Sequence, residues 1–189
     1  KNPADYTTLE EIVKRFNENG FVIVLVIFSL PIAIPLPYPP GFTTIFGLPL
    51  LILSIQMLLG YKMVKLPNFL GSYKIKNATI IMIAKKLIPM LKKVEQYLKP
   101  RLSFASSVYG EQIVGLVSCI DSISIMIPFP LTNAIPAAGI AIMSLGLLRR
   151  DGLVVIIGVI VSIIGLAIAC TTLFLAWSVV KYTFNSLFK

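Results

Sequence analysis

Pro31-Ile32-Ala33-Ile34-Pro35-Leu36-Pro37-Tyr38-Pro39-Pro40 lies inside residues 19–61, a stretch without one charged side chain, and Pro49 follows further on. The segment is too apolar for a surface loop and too rich in proline for one straight helix. A charged group costs roughly 2.5–3.5 kcal/mol at the bilayer centre on insertion scales, so a long uncharged run reads as lipid-embedded. A helix broken inside a membrane persists only where its freed backbone groups face protein or trapped water. Transport proteins place their sites at such breaks.

The totals agree with a membrane location. The chain has 189 residues, 57% hydrophobic and only 13% charged, and a mean hydropathy of +0.89. Soluble domains carry about twice that share of charge. The formal charge of +9 is not spread evenly, since ten of the 17 basic residues lie between Lys62 and Arg101. Juxtamembrane clustering of this kind follows from the positive-inside rule and from anionic headgroups. No aromatic-interleaved basic surface accompanies it, so nucleic acid is not an expected partner; membrane lipids are.

Histidine is absent, which removes the commonest general base, metal ligand and pH switch. Cys119 and Cys170 sit in apolar stretches and read as small buried packing residues. Neither a metal nor another cofactor is expected, and no nucleophile constellation points to an enzyme. The polar, mixed-charge start shows no cleavable signal pattern.

Outward from the prolines, the segments fall into an order. Residues 7–18 read as an amphipathic helix opened by a Thr8/Glu11 capping box. Apolar helices are expected over 20–34 and 43–60, joined by the connection 35–42. At 15 residues the first reaches only ~22 Å, short of a ~30 Å hydrocarbon core, so a re-entrant hairpin fits. The basic segment 61–105 carries a stripe of Ile80, Ala84, Leu87, Leu91, Val94 and Leu98, with lysines opposite. That pattern predicts a helix in the interface plane, bent or restarted at Pro89. A third apolar helix follows over 106–127, then the break Pro128-Phe129-Pro130-Leu131-Thr132-Asn133-Ala134-Ile135-Pro136 and a helix to Leu148. The uncharged span 152–180, closed by Trp177, Lys181 and Tyr182, reads as the one unambiguous transmembrane helix.

The pattern repeats. Ile34-Pro35-Leu36-Pro37 matches Ile127-Pro128-Phe129-Pro130, and Gly47-Leu48-Pro49 matches Ala134-Ile135-Pro136. An internal duplication is expected, residues 7–62 against 80–150 within a single membrane domain 1–189. The fold class is therefore an all-α integral membrane protein with two proline-broken re-entrant hairpins, interfacial helices and a C-terminal transmembrane helix. Parallel hairpins entering from the cytoplasmic side are favoured, because inversion needs part of 61–105 to cross.

At these breaks the chain resembles the ExoD exopolysaccharide-synthesis family. The matching stretches are Pro40-Gly41-Phe42-Thr43-Thr44-Ile45-Phe46-Gly47-Leu48-Pro49, Gln56 with Gly60, Pro128-Phe129-Pro130 with Asn133 and Pro136-Ala137, and Leu147-Leu148-Arg149-Arg150-Asp151-Gly152-Leu153. They cover about residues 7–180. One departure is Lys65-Leu66-Pro67, where the family often has a tryptophan before Leu-Pro. The resemblance implies a multi-pass bacterial inner-membrane protein linked to exopolysaccharide production and, in some members, to alkaline tolerance. It supplies no catalytic residue.

Six side chains are candidate substrate- or ion-binding residues. Asp121 stands alone in an apolar helix, where a carboxylate should face a polar cavity, bind a cation or carry a proton. Ser122 beside it, with Ser118 and Ser124, can line such a cavity; the plainer reading is an Asp that helps helices pack. Thr43, Thr44 and Asn133 follow the two breaks, where helix N-termini favour anions, against the plainer role of capping. Gln56 reads first as a hydrogen-bonding residue across the repeat or a dimer interface. Gly41, Gly47 and Gly139 read as points of close backbone approach.

These readings lead to a transporter or translocase with a midplane site, working as a homodimer that brings four hairpins together. Proton coupling is an open option, and the substrate is a small ion or a lipid-linked saccharide. The alternative is an accessory protein that organises polysaccharide enzymes without transporting anything.

Overall fold

The computed structural model describes residues 6–8, 11, 20–34, 41–65, 71–72, 74–77, 81, 85, 89, 93, 96, 98–102, 107–127 and 132–187. Among these, five long helices are present: α1 Gly20–Ala33, α2 Phe42–Leu58, α3 Val108–Met126, α4 Ala134–Leu148 and α5 Gly152–Leu187. Sequence breaks set several of their ends, since α1 and α3 stop close to a proline stretch and α4 stops at the pair Arg149-Arg150. Pro31 and Pro49 lie within α1 and α2 rather than ending them.

The strand β1 Tyr6–Thr8 pairs antiparallel with β2 Lys74–Lys76, placing Thr7 opposite Ile75. This ribbon ties the start of the chain to the basic segment, and of the expected helix over 7–18 it leaves Thr7 and Thr8 extended while Glu11 is helical. The capping box itself is present: Glu11 N–H donates to Thr8 Oγ1 and Thr8 N–H to Glu11 Oε2, each at 3.3 Å. The rest of that segment lies outside the described residues, as do Ile80, Ala84, Leu87, Leu91 and Val94 of the basic stripe. Ile81, Lys85, Pro89 and Lys93 are helical and exposed, so Pro89 stands on the lysine side.

Small residues decide which helices meet. A Cβ on Gly115 would stand 2.6 Å from Leu58 N, and one on Gly47 would stand 2.8 Å from Met126 Cγ, so α2 and α3 run antiparallel in close contact. In the same way Gly146 abuts Val155 N at 2.7 Å, and Gly165 abuts Pro136 Cδ at 2.8 Å, pairing α4 with α5. The third broad contact joins α1 to α4. Leu25, Ile32, Leu50, Leu53, Val114, Ile125, Ile140, Met143 and Val155 fill the core between them.

Two ends of the bundle follow from these pairings. Exposed Lys62, Lys65, Lys99, Arg101, Arg149 and Arg150 gather where α2 and α4 finish. The end of α1, the start of α2, the end of α3 and the start of α4 lie at the opposite end, and the sequence that joins them there is free of charge. At the basic end α2 and α4 close alike. Tyr61 N–H donates to Gln56 O and Gly60 N–H to Met57 O; Asp151 N–H donates to Gly146 O and Arg150 N–H to Leu147 O. Each pair is a Schellman closure with a left-handed residue, Gly60 in one and Arg150 in the other.

Burial on α3 is inside-out. Ile113, Leu116, Ile120 and Ile123 are exposed, while Gly115, Ser118, Asp121 and Ser122 are buried. A helix in water shows the reverse. On α5 the buried stripe Val155, Gly158, Ser162, Gly165 and Ala169 ends at Ala169, and beyond it Phe174, Leu175, Trp177 and Tyr182 are exposed. Cys170 is therefore exposed and Cys119 only half-buried, both as free thiols, because the first stands past the end of the bundle. Among the described residues two helices, not one, are long and apolar enough to cross a membrane: Val108–Met126 and Gly152–Asn185.

Candidate functional site

Asp121 is completely buried on the inner face of α3, two residues after Cys119 and one turn after Ser118. Its polar neighbour across the helix contact is Ser162 of α5. Yet Asp121 Oδ1, Asp121 Oδ2 and Ser162 Oγ close no hydrogen bond, and neither do the buried hydroxyls of Ser118 and Ser144. Ser122 Oγ is committed elsewhere, donating to Ser118 O at 2.6 Å, and Ser54 Oγ donates to Leu50 O at 2.7 Å. One carboxylate and three serines from α3, α4 and α5 thus hold polar atoms away from water with no partner. A buried polar group in that condition costs about 1–3 kcal/mol, and more if charged.

Sequence reasoning reached Asp121, Ser118 and Ser122 but not Ser144 and Ser162. Both stand in apolar helices that read as packing and anchoring segments. Ser162 lies between Gly158 and Gly165 on one stripe, and that run of small residues is the signal that α5 is packed by protein there.

The break residues occupy a separate level. Asp121 precedes Met126 by about 8 Å of helix rise. At Met126 the start of α2 touches the end of α3, since Thr44 Oγ1 donates to Met126 O at 3.2 Å. Thr43, Thr132 and Asn133 are buried at that end. Asn133 is the N-cap residue of α4, but its side chain makes no capping bond; its Oδ1 accepts from Thr132 Oγ1 at 3.2 Å. Gly41, the N-cap of α2, has φ 85 and nothing within 4 Å of its Cβ position, so it serves the turn and not a close approach.

Gln56 belongs to neither level. Its Nε2 donates to Lys65 O and its Oε1 accepts from Lys65 N–H, both at 2.8 Å, on an exposed surface of the basic end. It pins the residues after α2 instead of bridging repeats. Among the described residues no three His, Cys, Asp or Glu side chains cluster as a metal site would require.

With this geometry in hand, similarity to known proteins supplies the context. The family described as "Exopolysaccharide synthesis, ExoD" matches residues 1–171. The chain belongs to the ExoD family. An uncharacterized protein of Synechocystis sp. is 37% identical over 157 residues, covering 82% of this chain and 74% of that protein. Protein ExoD of Rhizobium meliloti is 30% identical over 152 residues, covering 78% of this chain. The match spans 62% of that relative's length. No solved structure matches. Membership in ExoD links the chain to exopolysaccharide synthesis, and both the matched breaks and Asp121 lie within the family region.

Proposed function

We propose that this ExoD-family chain is a multi-pass inner-membrane transporter or translocase serving exopolysaccharide production, with Asp121 as its ion- or proton-carrying group. The observation that carries the reading is the carboxylate of Asp121, fully buried on an apolar helix with the hydroxyl of Ser162 on α5 as its polar neighbour. A group so placed must hold a proton or a cation, and exchange of either is what couples transport.

Membrane residence is supported by the inside-out burial of α3 and the two helices long enough to cross. Re-entrant hairpins are supported by the depth of the breaks. Pro136 lies level with Gly165, about 20 Å along α5 from Gly152, and α5 continues about 18 Å further to Trp177. With the basic rim at one headgroup layer and Trp177 and Tyr182 at the other, the start of α4 stands short of the far side. The duplication is supported by the paired Schellman closures and by the matching contacts α1 to α4 and α2 to α3. A homodimer remains the economical way for so short a chain to enclose a path.

The accessory reading is favoured by one observation. The second half of α5 stands off the bundle with Phe174, Leu175 and Trp177 exposed, a surface another membrane protein can cover.

Flux into proteoliposomes of the purified chain, with and without a pH gradient, separates the two. The transporter reading expects gradient-dependent flux in wild type and none in a folded Asp121→Asn variant. Exopolysaccharide output unaffected by that variant, alongside a copurifying partner, sinks it in favour of the accessory role.

A further inference from the structure

A cleft of about 330 Å³ lies at the basic end, lined by Leu98, Pro100, Leu148, Arg149 and Arg150. Three of its walls are apolar and two are guanidinium-bearing. Backbone hydrogen bonds hold the turn beside it. Asp151, buried at the turn between α4 and α5, accepts Lys99 N–H on Oδ2 at 2.9 Å. Its Oδ1 accepts Leu153 N–H at 3.2 Å and Val154 N–H at 3.4 Å. Gly152 N–H donates to Arg101 O at 2.8 Å, and a Cβ there would stand 2.8 Å from Leu102 Cβ. The buried carboxylate is thus occupied by backbone, while Lys99, Arg101, Arg149 and Arg150 are exposed around it.

Arg150 carries the argument further. It occupies the left-handed position of the Schellman closure with φ 56, the place held by Gly60 in the matching closure of α2. Glycine takes that conformation without strain and arginine does not. The structure accepts backbone strain to put a guanidinium at the mouth of a preformed cleft. Paired arginines are the residues best suited to planar, multidentate recognition of phosphate. Leu98, Pro100 and Leu148 beside them fit an apolar extension of the same ligand.

We propose that the cleft between Arg149, Arg150 and residues 98–100 binds the phosphate of an anionic membrane lipid. The lipid source rests on the membrane residence proposed above and not on transport. The arginines grip the phosphate oxygens, and the apolar walls take the glycerol and upper acyl carbons.

The test is titration of the full chain, purified in detergent, with phosphatidylglycerol, phosphatidylcholine and inorganic phosphate, read by native mass spectrometry. Wild type is expected to take phosphatidylglycerol at least tenfold more tightly than either other probe. Arg149→Gln and Arg150→Gly should each weaken that binding about tenfold, the loss of one charge-assisted contact. The double substitution Lys62→Gln/Lys65→Gln, on the same end, should change it less than about twofold. Arg150→Gly should also melt no lower than wild type, because glycine relieves the left-handed strain. Equal losses at the lysine pair overturn the site in favour of diffuse charge. Phosphatidylcholine or free phosphate binding as tightly as phosphatidylglycerol overturns the anionic-lipid assignment. A lower melting point for Arg150→Gly overturns it as well, since the side chain would then serve the corner. The readout needs no flux, so its failure and that of the transporter reading are separate.

Discussion

Gly139 of α4 lies directly against Ser162 of α5, so close that a single added methyl group would overlap the serine hydroxyl. The contact sets the spacing of the two helices and fixes where Ser162 stands relative to Asp121. It joins the packing of the bundle to its polar centre.

Gly139→Ala should therefore force α4 and α5 apart and destabilise the protein by about 1–3 kcal/mol, as overpacking does. Adding Ser162→Gly should recover most of the loss, because the two residues share one contact. Thermal unfolding of the single and double variants in detergent checks both. Additive losses would show that the overlap is relieved elsewhere.

Asp121→Leu should behave oppositely for fold and function. Replacing an unpartnered buried carboxylate with an apolar side chain of similar bulk removes a desolvation cost of about 1–3 kcal/mol. The variant should melt at or above the wild-type temperature while flux disappears. A marked drop in melting temperature would mean that the carboxylate holds the helices together.

Asp151→Ala should cost about 0.5–2 kcal/mol through loss of the α5 cap, with release of Lys99 besides. Hydrogen exchange at the amides of Lys99, Leu153 and Val154 should accelerate together. Acceleration at the helix amides alone would place the tether of Lys99 elsewhere.

Gln56→Ala removes two exposed hydrogen bonds to the Lys65 backbone and should cost at most about 1 kcal/mol. Flux should stay within twofold of wild type. A large loss of flux would return Gln56 to the list of residues that meet the substrate.

The linear order of the bundle was legible because prolines, charges and apolar runs act locally. The runs 35–40 and 128–130 separate two pairs of helices, whereas Pro31 and Pro136 are carried inside helices, and the exposed pair Arg149-Arg150 closes α4. The expected helices over 43–60 and 106–127 appear as Phe42–Leu58 and Val108–Met126. What the local reading did not foresee is that Tyr6–Thr8 pairs with the distant Lys74–Lys76. Nothing near Thr7 in the chain announces that pairing.

Residue chemistry alone singled out Asp121, since one carboxylate in an apolar helix demands an explanation wherever it sits. Its surroundings were another matter. Ser144 and Ser162 are unremarkable in their own helices, and only the packing of α4 on α5 through Gly139, Gly146, Gly158 and Gly165 buries them. The same holds for Arg150, whose left-handed backbone arises from the way α4 closes onto α5. Composition and periodicity report what each segment prefers; which side chains end up without water, and beside whom, depends on contacts between segments far apart in the chain.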